Sequence, residues 1–210
     1  PTGLTPFGTV QAAIDFADTH RSVSTRVCIA PGAACGANTQ FPSVANQPIV
    51  MKDGISVYGN YQSASWARCA NSRTRLRPES ALGVSFAFTA AANSTTILDG
   101  VEIDRDDTPT TSGVTVDGAR GVILANIVID SAPAVMNSYG VNVVNGGEAT
   151  IFKSRIVGGA GSAETIGVRS VGSQVFVEDN CLSPDLTTGR CDDYCNTSNP
   201  GIRSRNTTSG

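Results

Sequence analysis

Histidine is nearly missing from this chain of 210 residues, which has only His20. Serine- and cysteine-nucleophile hydrolases normally need an imidazole base beside the nucleophile, so no catalytic set is assigned. His20 is expected to be structural or exposed. Charge is scarce too, at 16% of residues with a net of −3. Nothing supplies the basic footprint that nucleic acid or an anionic membrane surface would need. No apolar run approaches the roughly 20 residues of a membrane-spanning helix. Cysteine is present but never as a C-x-x-C pair; the residues are Cys28, Cys35, Cys69, Cys181, Cys191 and Cys195. With one histidine, that spacing argues against zinc and for disulfides in an oxidising compartment, hence an extracellular or cell-surface location, with connectivity left open. No signal-peptide pattern precedes Pro1, and the chain is expected to be a processed fragment of a longer protein.

Glycine, serine, threonine, asparagine and valine dominate instead, a mix suited to strands and turns. A motif Gly-[Val/Ile]-x-[apolar or small] recurs at near-even intervals, at Gly54, Gly83, Gly113, Gly140, Gly167 and Gly201. A second ladder runs beside it. Leu98 and Ile103, Leu124 and Ile129, Ile151 and Ile156, and Val177 and Leu182 are each five apart, and the pairs advance by 26, 27 and 26. Small or polar residues at Gly100, Asn126, Ser154 and Asn180 mark where the chain should bend between two sheets. A period near 27 with short strands and no intervening helix predicts an all-β fold, a right-handed parallel β-helix in which equivalent strands stack.

Strand alternation then sorts the faces. Ile55/Val57, Val84/Phe86, Val114/Val116, Val141/Val143, Val168/Ser170 and Ile202/Ser204 are expected inside, and Ser56, Ser85, Thr115, Asn142, Arg169 and Arg203 outside. A slip of one residue would bury the polar ladder, so register is well specified. At the N-terminus, Thr9 reads as an N-cap before a helix whose apolar face is Val10, Ala13, Ile14 and Ala17. The whole chain, 1–210, is expected to form a single domain with a cap at 1–25 and coils with inserted loops over 26–210. The segments "CGANTQFPSVANQP", "NYQSASWARCANSRTRL" and "CLSPDLTTGRCDDYCNTSNP" read as loops. Trp66, the one tryptophan, is expected to pack its loop onto the coil.

Few side chains offer chemistry. Asp104 and Asp130 each follow the last apolar residue of a second-ladder strand and should stack, with Asp106 and Asp107 nearby. Such a corner suits either a solvated turn or calcium, the one cofactor this sequence suggests. Arg169, Arg203 and Arg205 should share an outward face, able to meet an anionic glycan or simply solvated. N-x-S/T sequons occur at Asn93, Asn196 and Asn206 as candidate glycosylation sites.

The opening "TVQAAIDFA", then "VCIAPG", then "MKDGISVYGNYQ", resembles the start of bacterial secreted or surface-displayed parallel β-helix proteins of the pectate-lyase-like superfamily. The resemblance covers the chain up to about Asn60, which stands where a second glycine is common. It implies a cap helix and coils, and a role nearer to adhesins than to enzymes. The aspartate–histidine sets of its hydrolases and the arginine-with-acidic-cluster pattern of its lyases do not occur. The expected function is a non-catalytic structural or adhesive segment of a surface protein or filament, meeting surface glycans or other protein subunits. The alternatives are a carbohydrate-active enzyme using stacked carboxylates, and a filament subunit assembling by end-to-end coil stacking.

Overall fold

The computed structural model describes residues 7–32, 35, 40–43, 46–69, 73–89, 94–104, 112–130, 137–158, 164–178, 181–183 and 202–205, with side chains at all of these except 164, 181–183 and 202–205. Helix α1 (Val10–Thr19) comes first, and strands follow in groups of three. The first rung is β1 (Arg26–Cys28), β2 (Gln40–Pro42) and β3 (Ile49–Val50). The second is β4 (Ser56–Tyr58), β5 (Thr74–Arg77) and β6 (Val84–Phe86). Then come β7 (Thr96–Asp99), β8 (Val101–Asp104) and β9 (Ser112–Asp117), followed by β10 (Val122–Ala125), β11 (Val128–Asp130) and β12 (Asn137–Val144). The last two rungs are β13 (Glu148–Phe152), β14 (Arg155–Val157) and β15 (Glu164–Val171), then β16 (Gln174–Glu178), β17 (Cys181–Ser183) and β18 (Ile202–Arg205). Every third strand pairs in parallel, giving three six-stranded sheets, β1-β4-β7-β10-β13-β16, β2-β5-β8-β11-β14-β17 and β3-β6-β9-β12-β15-β18. The fold is an all-β parallel solenoid with one short N-terminal helix.

The second ladder of the sequence is the register of the first two sheets. Leu98, Leu124, Ile151 and Val177 stand in line in the first sheet, and Ile103, Ile129, Ile156 and Leu182 in the second. Val84, Val114, Val141, Val168 and Ile202 do the same in the third. The members of these lines from residue 84 to 168 are fully buried. Each such Val, Leu or Ile contributes about 1.5–3 kcal/mol by leaving water, before chain entropy is counted.

Three expectations need correction. Gly54 does not belong to the glycine ladder, because it precedes β4 in the first sheet, whereas Gly83 precedes β6 and Gly113, Gly140 and Gly167 lie in β9, β12 and β15 of the third; Gly201 lies outside the described residues. The third-sheet partner of Val84 is Ile49 instead. All three segments read as loops contain strand residues, from β2, β5 and β17; β2 and β5 each have only one core-facing apolar side chain, Phe41 and Leu76, so no hydrophobic periodicity marks them. And the outward positions Ser56, Ser85 and Thr115 are buried, unlike Asn142 and Arg169. The bends fall at Gly100 (φ +71°), Asn126 (+49°) and Lys153 (+50°), one residue before the expected Ser154; Asn180 lies outside the described residues.

Helix α1 closes the first rung. Thr9 is its N-cap, extended at φ −138°, and its hydroxyl accepts from Ala12 N–H at 3.1 Å. Val10, Ile14 and Ala17 pack into the core with Val27, Ile29, Ile49 and Met51. β3 is the edge of the third sheet, and Gln11 covers part of that edge. Its Oε1 accepts from Val50 N–H at 2.8 Å and its Nε2 donates to the Val50 carbonyl at 3.2 Å. One side-chain amide thus stands in for a neighbouring strand, which blunts an edge that would otherwise invite another chain. At the other end of α1, His20 stacks on Phe16 with centroids 4.1 Å apart, and its Nδ1 lies 2.9 Å from the Phe16 carbonyl oxygen. Its role there is to finish the helix.

Glycine in the third-sheet ladder is required by the approach of the next rung. A Cβ at Gly83 (φ +63°) would overlap the carbonyl oxygen of Gly113, its neighbour in the ladder. Gly146 has a similar φ of +76° but nothing within 4 Å of its Cβ position. Gly146→Ala is therefore expected to cost about 1–2 kcal/mol, the left-handed penalty alone. Gly83→Ala should cost about 3 kcal/mol or more, since two backbones must separate as well. Urea denaturation of both variants checks this, and equal losses would refute the rung-contact account.

Candidate functional site

The chemistry-bearing side chains lie on the outward faces, where neighbouring rungs bring together residues about one period apart. In the second sheet Asp104 and Asp130 are direct partners in register, as their positions after Ile103 and Ile129 predict. They do not stand alone. Arg75, one rung earlier, reaches Asp104 at 2.6 Å (Nη2 to Oδ2) and Glu102 at 3.2 Å (Nε to Oε1). Arg155, one rung later, lies 3.3 Å from Asp130 (Nη2 to Oδ1). Gln40 donates to the same Asp104 oxygen as Arg75, at 3.3 Å. The order along the solenoid is arginine, acid, acid, arginine, so the two carboxylates are flanked by positive charge on both sides. A calcium ion here would have to displace Arg75 and Arg155. Among the described residues, no group of three or more His, Cys, Asp or Glu side chains gathers as metal ligands. Asp106 and Asp107 lie outside the described residues.

A second cluster ends the first sheet. Cys28, Tyr58 and Asp99 occupy one line of the register. Asp99 is buried, paired with Arg68 at 2.7 Å and accepting from Asn126 Nδ2 at 2.9 Å. The Asp99 hydrogen bond in turn holds the Arg68 guanidinium above its usual basicity. Beside them Tyr61 is pushed above the usual phenol range, first by partial burial and then by the neighbouring Cys28 thiol. Tyr61 therefore stays protonated and uncharged at neutral pH.

Cys28, expected in a bridge, is an exposed free thiol. The disulfide among the described residues joins Cys35 to Cys69, with Cα atoms 5.6 Å apart. Cys181 opens β17, its side chain undescribed, and Cys191 and Cys195 lie outside the described residues, as do Asn93, Asn196 and Asn206.

In the third sheet Arg169 lies over the Tyr139 ring, 4.9 Å from its centroid, and donates to Asn142 Oδ1 at 2.9 Å. The register sets Arg203 beside Arg169 and Arg205 beside Val171, so all three belong to one face by the two-residue period. The side chains of Arg203 and Arg205 lie outside the described residues.

Sequence reading found the stacked aspartates but missed Arg68, Arg75, Asp99 and Arg155. The signal was there in the period, since Arg75 and Glu102 are 27 apart and Asp130 and Arg155 are 25 apart.

Asp104→Asn is expected to destabilise by about 1–3 kcal/mol, because Arg75 and Gln40 lose a nearly buried charged acceptor. The exposed ion pair between Asp18 in the last turn of α1 and Arg21 just beyond it should lose no more than about 0.5 kcal/mol in Asp18→Asn. Thermal and urea unfolding of the two variants compares them. A match between the losses would remove the ion-pair ladder as a stabilising element. Comparison of the chain with family models, curated proteins and solved structures gives no match.

Proposed function

We propose that this chain is a non-catalytic, extracellular or cell-surface segment, structural or adhesive in role, of the bacterial parallel β-helix kind that its opening segment resembles. Its polar faces would meet surface glycans or other protein subunits. The observation that carries this reading is the pairing of three outward carboxylates with arginine. Asp99 with Arg68, Asp104 with Arg75 and Asp130 with Arg155 each bind one rung to another. A general acid and base need carboxyls free to gain and lose a proton at the substrate. Carboxylates held by arginine serve stiffness instead.

The test is incubation with a panel of acidic and neutral polysaccharides. The expected outcome is retention of the protein on one or more immobilised glycans, with no new reducing ends and no unsaturated product. Release of either product would replace this reading with that of a carbohydrate-active enzyme.

A specific observation favours a second reading, association through the β16 edge of the first sheet. Val177 lines up with the buried Leu98, Leu124 and Ile151, yet it is 37% exposed, and Phe176 beside it is 56% exposed. On this reading the sedimentation coefficient rises with protein concentration and Val177→Lys abolishes the rise. A coefficient that stays constant over the whole range rules it out.

A further inference from the structure

The solenoid departs from its own period at one corner. From the first sheet to the second, the later rungs turn through a single residue at Gly100 and through two at Asn126–Ile127 and Lys153–Ser154. In the first two rungs the same corner is long, running from Cys28 to Gln40 and from Tyr58 to Thr74. The advance from Val57 to its partner Leu98 is accordingly far longer than the advance from Leu98 to Leu124. Insertions into a repeat are tolerated at its loops, and binding faces are often built there.

The two long corners are fastened to each other. Gly32 bridges Gln62 in parallel, Ser63 N–H donates to the Gly32 carbonyl at 2.8 Å, and the Cys35–Cys69 disulfide closes the far side. Within the second corner, residues 61–68 form a hairpin. Tyr61 and Arg68 make an antiparallel bridge, Gln62 N–H donates to Ala67 O at 3.1 Å, and Trp66 N–H donates to Gln62 O at 2.8 Å. What this tethered hairpin presents is an indole. Trp66, expected to lie against the coil, is 57% exposed and has a left-handed φ of +54°. A bulky side chain rarely adopts that backbone, and such strain persists only where the surroundings impose it.

We propose that hairpin 61–68 is a sugar-binding platform, with the Trp66 indole as the face on which a neutral, hydroxyl-rich sugar ring stacks. The electron-rich indole face attracts the weakly positive C–H face of a sugar ring while excluding water from it. Gln62, Ser63 and Ser65 supply uncharged donors and acceptors within the same hairpin. The one cation of the hairpin, Arg68, is paired with Asp99, so the hairpin offers no free charge to select an acidic sugar. The disulfide and the bridges hold the hairpin before the ligand arrives, which lowers the ordering cost of binding. This inference rests on the glycan-contacting reading above and assigns it a place.

Trp66 is the one tryptophan in the chain, so intrinsic tryptophan fluorescence reports on this residue alone. Titration with neutral and acidic oligosaccharides is expected to shift the emission with the neutral ones. Trp66→Ala should weaken retention on the same glycan by about tenfold or more, and Trp66→Phe should keep part of it. Trp66→Gly separates binding from folding: it relieves the left-handed backbone, so its melting temperature should equal or exceed that of the native chain while retention is lost. If a glycan is retained equally by native protein and Trp66→Ala, the platform is wrong and the glycan reading survives. If no glycan is retained at all, both fall. A shift produced by a protein partner and by no sugar also overturns the platform.

Discussion

Register between rungs is the constraint on which the rest of the structure depends. A strand of three or four residues cannot bury its apolar side chains alone. It does so only when the equivalent residue of the next rung lies directly over it, as Leu124 lies between Leu98 and Ile151. That demand fixes the corners. The chain must turn at the same level each time, and it does so through left-handed residues in one line, Gly100, Asn126 and Lys153. Asparagine is used twice over at such places. Asn126 gives its amide to Asp99 and Asn145 gives its amide to Asp117, at 2.9 and 2.6 Å, each acid lying one rung earlier. A side chain tolerated in the left-handed region for local reasons thus also ties two rungs together. The same register makes ion pairs out of charges about one period apart, so the polar surface inherits its order from the core.

Where the sequence was legible, it was because the period is long-range and strict. The lines of Leu, Ile and Val in the middle rungs could be read because successive copies agree. Reading failed where a motif was judged by local likeness alone. "GISV" at Gly54 looks like "GVSF" at Gly83, but the chain inserted between Val57 and Leu98 puts the former in another sheet. β2 and β5 were hidden because each has a single inward apolar side chain; β5 does alternate inward and outward, but its other inward residue is the polar Thr74. The arginine partners were hidden for a different reason. Arg75 faces Glu102 in register but also reaches diagonally to Asp104, and a diagonal contact is not visible in a ladder read straight up. Cys28 stands in line with Tyr58 and Asp99, so the rung above offers it no sulfur, whereas Cys35 and Cys69 meet because both lie in corners of successive rungs.

A regular solenoid has little room for function in its repeating part. Its outward ladders meet the same neighbours above and below, and here they resolve into arginine–carboxylate pairs, a guanidinium laid on Tyr139 and asparagine ties. Each of these interactions takes up part of the polar capacity that a ligand would use. Residues that the period does not claim are freer to direct chemistry outward. The joined corners of the first two rungs are such a place. A disulfide and several backbone hydrogen bonds there hold an exposed indole in a backbone conformation that tryptophan disfavours. Stability alone gives no reason for that arrangement, since glycine at the same position would fold with less strain. An interaction made by the indole face does give one, and the coil beneath, with rungs joined by ion pairs, supplies the support from which that face is presented.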